Sequence, residues 1–309
     1  MEIKHATETD IPSIVGLLKK SLGEGLMPKS EAFWRWKHID NPFGKSPVLL
    51  AFEGDQMIGV RAFMRWEWIQ DNKIHRAVRA VDTATHPQYQ GKGVFNKLTM
   101  ALVEQCYQEG IEFIFNTPNR QSQPGYLKMG WKNINRLTIH IYPVFSWGKR
   151  DNDFDVRYGV VPASFDYFDK AKHKSSSFLS TNVSREYLKW RYAGNPNIRY
   201  YVLKGNGEYP PYVAVFRVRK SRGMTEFRIC DWFTTESCRF SDFASHVKKT
   251  AREAGANMIT WSGGTGGFPL FSIPLRIGPD VTVRPVRMAE NDIITFGTWK
   301  PVLGDLEVF

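Results

Sequence analysis

Apolar and polar positions alternate along this chain with two periods, and the switches between them mark its elements. Met1–His5, Val48–Phe52 and Met57–Ile69 are rich in β-branched and aromatic residues and predict strands, the last two joined as a hairpin through Gly54-Asp55. Ile11, Ile14, Val15, Leu17 and Leu18 recur at three-and-four spacing and predict a helix capped by Thr9 or Asp10. Glu31–Lys37 reads as a second, tryptophan-rich helix, stopped at Asn41-Pro42 because the residue before proline is pushed out of helical space. Val78–Thr85 predicts a strand, His86–Gly93 a polar turn, and Val94–Glu109 a helix with Leu98, Ala101, Leu102, Cys106 and Tyr107 on one face. Ile111–Asn116 and Leu137–Tyr142 predict two more strands, and Val144–Asp155 a polar loop.

The pattern then begins again. Trp36, Asn41 and Pro42 reappear 154 residues later as Trp190, Asn195 and Pro196. The same offset lays Val48–Leu50 on Val202–Lys204 and Ile58–Met64 on Tyr212–Val218. Further on, Asp231 follows a strand as Asp82 does, Ser241–Ala254 reads as a helix, and Gly255–Ile259 parallels Gly110–Ile114. Similarity at a fixed offset signals a duplicated unit. The expected division is residues 1–150 and 151–309, which suits the chain's length.

Composition narrows the function. With 42% hydrophobic and 14% aromatic residues the chain can bury a sizeable core. Its formal net charge of +11 favours anionic partners. No helix carries a Lys/Arg stripe with base-stacking aromatics, so nucleic acid is not the expected partner. Cys106, Cys230 and Cys238 lack zinc-type spacing, and no metal site is expected. So sparse and odd a count predicts free thiols and a cytoplasmic protein. Neither a signal-peptide core nor a membrane-spanning run of about 20 apolar residues is expected.

The strand, polar turn and helix from Val78 to Glu109 form a place for an anion. The first N–H groups of a helix are unpaired and the helix dipole favours negative charge there. Gly91 and Gly93 permit close approach, and Lys92 adds charge. The loop is neither a P-loop, which needs G-x-x-x-x-G-K-[ST], nor the dinucleotide G-x-G-x-x-G. The second copy has Thr234–Arg239 in the corresponding place, without glycine and with Glu236, which would oppose an anion. The glycine run Gly263–Gly267 follows a strand rather than preceding a helix, so it is not expected to hold phosphate.

The stretch resembles the central motif of the GNAT superfamily of N-acetyltransferases, a strand, then [RQ]-x-x-G-x-[GA], then a helix. Pro87 sets Gln90 and Gly93 in register with that pattern, while Phe95 stands where Gly or Ala is usual. Asn119, Tyr126 seven residues on, and Gly130-Trp131 match the downstream segment, with Pro124-Gly125 as a second departure. The resemblance implies an α/β fold of two tandem GNAT-like domains, each a mixed, mostly antiparallel sheet flanked by helices. In the first, the backbone of Thr83, Ala84 and Thr85 would hold the pantetheine arm and thioester of acetyl-CoA. Gln90, Gly91, Lys92, Gly93, Val94 and Phe95 would surround the pyrophosphate, with Asn119 nearby. The second copy would have lost its cofactor site and would help shape the acceptor cleft.

The implied reaction is acetyl transfer to a small primary amine, an amino sugar or nucleotide-linked amino sugar being suggested by the charge. A non-catalytic CoA-binding or regulatory role is the alternative. Tyr126 matches the family's general acid. Asp82 is the candidate base, with Glu67 and His86 as rivals, and some members of the superfamily need none. His140 is expected to be a packed side chain. Trp34, Trp36, Trp66 and Trp68 either fill core and domain interface or line a sugar or apolar acceptor site.

Overall fold

A computed structural model describes residues 1–23, 27–145, 152–168, 177–221, 223–263, 268 and 270–306. Most of the loop expected at Val144–Asp155 and all but Gly263 of the glycine run lie outside the described residues. The chain runs β1 (Glu2–His5), α1 (Ile11–Leu22), α2 (Glu31–His38), β2 (Val48–Glu53), β3 (Gln56–Gln70), β4 (Lys73–Thr85), α3 (Val94–Gln108), β5 (Phe113–Asn116), α4 (Gln123–Lys128), β6 (Lys132–Arg136) and β7 (Ile139–Pro143). It continues with α5 (Phe154–Tyr158), β8 (Ser180–Thr181), α6 (Arg185–Leu188, extended by a π-helical turn Lys189–Ala193), β9 (Tyr201–Lys204), β10 (Tyr212–Ser221) and β11 (Met224–Thr234). Last come α7 (Phe240–Glu253), β12 (Met258–Trp261), β13 (Ile273–Leu275), β14 (Asp280–Pro285), α8 (Glu290–Ile293) and α9 (Leu303–Leu306).

The strands build two mixed, mostly antiparallel sheets. The first has the order β1-β2-β3-β4-β5-β14-β6, with β8 beside β3, and the second β9-β10-β11-β12-β7-β13. In each, one pair is parallel, β4 with β5 and β11 with β12. The run β2-β3-β4-β5-β14-β6 corresponds in order to the six strands of the second sheet, the α/β architecture expected of a duplicated chain, while β1 and β8 have no counterpart among the described residues. β4 begins five residues earlier than its apolar run predicts. Asp71 and Asn72 take the positive φ values, 48° and 63°, of a tight hairpin turn, so Lys73–Ala77 extend the strand.

One exchange crosses the midpoint. β7 leaves the first unit to lie between β12 and β13, and β14 returns to fill the slot between β5 and β6. A cut at residue 150 therefore does not separate the sheets. The single strand predicted over Leu137–Tyr142 is interrupted where the two chains cross. Leu137 N–H donates to Pro279 O at 2.9 Å, and Gly278 N–H donates to Leu137 O at 3.0 Å. A Cβ on Gly278 would come 2.6 Å from that oxygen, so the crossing needs glycine.

Approximate two-fold contacts bind the halves. Trp36 Nε1 donates to Trp190 O at 2.8 Å, and Trp190 Nε1 donates to Trp36 O at 2.6 Å. Their rings stack 5.0 Å apart. Ser30 and Ser184 cap α2 and α6 alike, each Oγ accepting from the N–H three residues on. Trp36, Trp66 and Trp68 are thus core and interface residues. α9 is buried beside them, its backbone carbonyls clasped by Arg79 from β4 and Arg191 from the second unit.

Candidate active site

The parallel pairing of β4 with β5 ends at Arg79–Phe115, whereas β4 stays paired with β3 to Thr85. Ala80–Thr85 thus presents an unpaired edge where the two strands part. At the same place β4 bulges. Arg61 pairs with Thr83 and Ala62 with Val81, leaving Asp82 between them at φ 39°. A left-handed backbone is uncommon for a residue with a side chain, and here it re-aims the carboxylate. In the second sheet Val215 pairs with Asp231 and Phe216 with Ile229, so Cys230, not Asp231, takes the place of Asp82. The strand end alone had suggested Asp231.

Beyond the open edge lies the loop. Gly91 and Gly93 have φ values of 76° and 79°, and α3 starts at Val94. Its first backbone bond is Lys97 N–H to Gly93 O, so the amides of Val94, Phe95 and Asn96 face out of the helix end unpaired by it. Gln90 Nε2 sits 3.4 Å from Thr85 O, and Lys92 lies 4.7 Å over the Tyr89 ring. Thr85 O also accepts from Ser21 Oγ of α1 at 2.9 Å, which closes that strand end against α1.

Phe95 turns inward rather than into the loop. Its ring meets Tyr126 edge-on at 5.5 Å, and a Cβ on Gly125 would come 3.1 Å from Phe95 Cε1. The two departures from the family pattern, Phe95 and Pro124-Gly125, are therefore one packing solution: the missing side chain at Gly125 makes room for the ring.

Tyr126 is buried, 3% exposed, and its hydroxyl accepts from Arg61 Nη2 at 2.6 Å. Arg61 is fully buried, and no ion pair from it to a carboxylate is formed among the described residues. Its guanidinium lies over the rings of Phe63, Phe95 and Tyr126 at 4.9, 5.4 and 5.3 Å, and Nη1 reaches Val81 O at 3.3 Å, beside the bulge. Because arginine only donates, the tyrosine oxygen must accept, and its own proton stays available for another group. Sequence reasoning missed Arg61. The signal present was an arginine within the apolar run Met57–Met64.

Asp82 is not a free carboxylate. Its Oδ2 accepts from Lys37 Nζ at 2.7 Å and His38 Nε2 at 2.9 Å, both from α2. Burial alone would raise its pKa, but the Lys37 charge and the His38 hydrogen bond outweigh that and hold it well below the usual carboxylate range. Burial pushes His38 down, so the ring is neutral near pH 7, with Nε2–H donated to Asp82 and Nδ1 accepting from Ser46 Oγ at 2.9 Å. Burial pushes Lys37 down as well. A carboxylate held this way is ionised and a weak base.

The other candidates fall elsewhere. Asn119 Oδ1 accepts from Gln121 N–H, Ser122 N–H and Ser122 Oγ, so it caps the turn into α4. Buried His86 holds its own turn, Nδ1 accepting from Gln88 N–H. Glu67 pairs with Asn182 toward the far end of β3, past the bulge at Arg61/Ala62. His140 stacks on Trp261 in the second sheet. Where β11 and β12 part, Phe268 packs on Trp232, Trp261 and Phe243 at 5.0, 4.5 and 5.5 Å, filling the second opening with rings.

A splayed parallel pair, a strand bulge and a helix start with unpaired amides thus meet at one end of the first sheet. Residues 2–134, somewhat under half of the chain, match the model of the acetyltransferase (GNAT) domain. No curated protein sequence matches the chain. Among solved structures it resembles a GCN5-related N-acetyltransferase from Anabaena variabilis, at 15% identity and TM-score 0.65, over 92% of this chain and 73% of that one. It also resembles a probable N-acyltransferase from Enterococcus faecalis, at 12% identity and TM-score 0.63, over 93% and 73%. The N-myristoyltransferase of Saccharomyces cerevisiae with bound myristoyl-CoA is similar at 11% identity and TM-score 0.54, over 92% and 78%. At these identities the likeness is one of fold, and it spans both sheets. Among the described residues no helix is long and apolar enough to cross a membrane.

Proposed function

We propose that the chain transfers an acetyl group from acetyl-CoA to a primary amine, with one active site in the first half. The observation that carries this is the unpaired edge of Ala80–Thr85, flanked by the helix start at Gly91–Phe95 and by Tyr126. The edge gives a pantetheine amide backbone partners, the helix start suits a pyrophosphate, and Tyr126 can supply a proton. The amine's lone pair forms the bond to the thioester carbonyl carbon. The carbon–sulfur bond breaks, the thiolate takes the Tyr126 proton, and the amine's excess proton passes through water to restore the Tyr126 hydroxyl. Products are the amide and CoA thiol. Arg61 orients the hydroxyl, and Asp82, too weak to deprotonate an ammonium, orients the acceptor nitrogen.

The free thiols Cys106, Cys230 and Cys238 support a cytoplasmic setting. Amino sugars belong in the acceptor panel on the strength of the net charge. The yeast structure's myristoyl-CoA puts longer acyl donors in the donor panel. The second reading, a CoA-binding regulatory module, draws on the burial of Tyr126. Calorimetric titration with acetyl-CoA should give one site per chain, and amine-dependent thiol release should follow. No binding defeats both readings; binding without turnover, across the amine and donor panels, leaves the regulatory one.

A further inference from the structure

On the far side of Asp82 from the loop, α1 and α2 enclose a cavity of about 210 Å³. Its walls are apolar: Val15, Leu18 and Leu22 from α1, Met27 from the segment between the helices, and Phe33 and Trp34 from α2. Four polar residues also reach it, and three are already engaged. Ser30 Oγ caps α2, Lys29 Nζ donates to Gly23 O at 2.5 Å, and Lys37 Nζ is bound to Asp82 while lying 4.5 Å from the Phe33 ring. The fourth is Asp82 itself. Both its contacts use Oδ2, and no hydrogen bond to Oδ1 is formed among the described residues. The cavity is thus an apolar chamber with one open acceptor atom, one residue away from the edge at Thr83.

We propose that this chamber seats the acyl acceptor, and that the acceptor is a primary amine on an apolar body, alkyl or aryl, whose N–H donates to Asp82 Oδ1. The assignment rests on reading Thr83–Thr85 as the ledge for the thioester. A polyhydroxylated amine would shed water from each hydroxyl and find no partner on these walls, a cost paid for every unsatisfied group. An apolar body gains from the same burial. Apolar walls beside the Lys37 charge disfavour an ammonium, so the nitrogen arrives as the neutral nucleophile. Lys37 already balances Asp82, which leaves no net negative charge to hold a cation. No dedicated base is then needed.

The test is thiol release from acetyl-CoA by the whole chain, with propyl-, butyl-, pentyl- and hexylamine, phenethylamine, ethanolamine and glucosamine compared at equal concentrations of neutral amine. The ratio kcat/KM should rise roughly fourfold per methylene until the chamber is full. Leu22→Trp, at a half-exposed wall position that does not endanger folding, should lower hexylamine turnover at least about tenfold, with acetyl-CoA affinity as the folding control. Ethanolamine or glucosamine performing as well as hexylamine would overturn the proposal while the transferase reading stands. If acetyl-CoA binds but no amine reacts, the transferase reading fails instead. Calorimetry of hexylamine with the CoA-saturated chain then decides: binding lost in Leu22→Trp upholds the chamber, and no binding overturns it.

Discussion

Each half contains a corresponding opening in its own sheet, and among the described residues only the second is filled by an aromatic side chain. In the first, β4 parts from β5 after Arg79, and the gap leads to two left-handed glycines and an uncharged helix start. In the second, β11 parts from β12 after Arg228 in the same way. Its loop has no glycine, Asp242 sits in the first turn of α7, and Phe268 occupies the gap with three aromatic neighbours. At the strand position of Arg61 the second sheet carries buried Val215. Duplication kept what holds a sheet together, namely register, bulge and cap. What differs is whether the gap is left unfilled by the chain's own side chains.

The largest effect expected from that comparison is at the loop. Gly93→Glu places a negative charge and a left-handed-backbone penalty at the helix start, and should weaken acetyl-CoA binding by on the order of a hundredfold or more. Glu236→Gln in the second loop should change nothing in the same titration. A second binding site, or undiminished binding by Gly93→Glu, would break the distinction. Next is Tyr126→Phe, which should lower kcat by roughly 10²–10⁴ with acetyl-CoA affinity retained. An unchanged kcat removes Tyr126 from the chemistry.

Arg61→Met should cost roughly ten- to a hundredfold in kcat through loss of a charged hydrogen bond to that hydroxyl. A purely structural Arg61 would instead show up in the denaturation midpoint, with kcat intact and the alkaline limb of the pH profile unmoved. Phe268→Ala should destabilise the chain by about 2–3 kcal/mol, as a partly buried aromatic, and still create no second acetyl-CoA site. Restored binding there would mean that the plug alone, not the loop, silenced the second copy.

The smallest effect concerns the clasp between the halves. Burial raises Asp305 to about 6, against 3.8 when exposed. The folded state therefore holds this proton more tightly than the unfolded chain. The group's contribution to stability is complete below about pH 4 and falls as pH rises toward 6. Asp82 runs the other way: its stabilisation is present above pH 4 and is lost only in stronger acid, as its depressed pKa is approached. Asp305→Asn should flatten the decline between pH 4 and 6 in denaturant midpoints, and an undiminished slope would assign it to another group, with buried Asp231 the first to test.

Local rules made much of this protein legible from its residues. Period-two and three-four spacing placed β2, β3, α1 and α3 within a residue or two, because side-chain direction along the backbone decides which positions can be buried. The fixed offset of Trp36 and Trp190 announced two related units. Glycine spacing marked the left-handed turn before α3, since few residues with a side chain tolerate the backbone needed there. Tertiary structure decided the rest. The exchange of β7 and β14 joins segments about 140 residues apart through one glycine crossing, and no local pattern records which of two equivalent slots a strand will enter. The bulge that sets Asp82 apart is a property of pairing, so the second copy's equivalent fell on Cys230 rather than Asp231. The ion pair that weakens Asp82 as a base comes from Lys37, 45 residues away in sequence, and the Arg61–Tyr126 bond spans 65. A carboxylate's strength and a hydroxyl's orientation depend on what folding brings beside them, and sequence separation does not encode that distance.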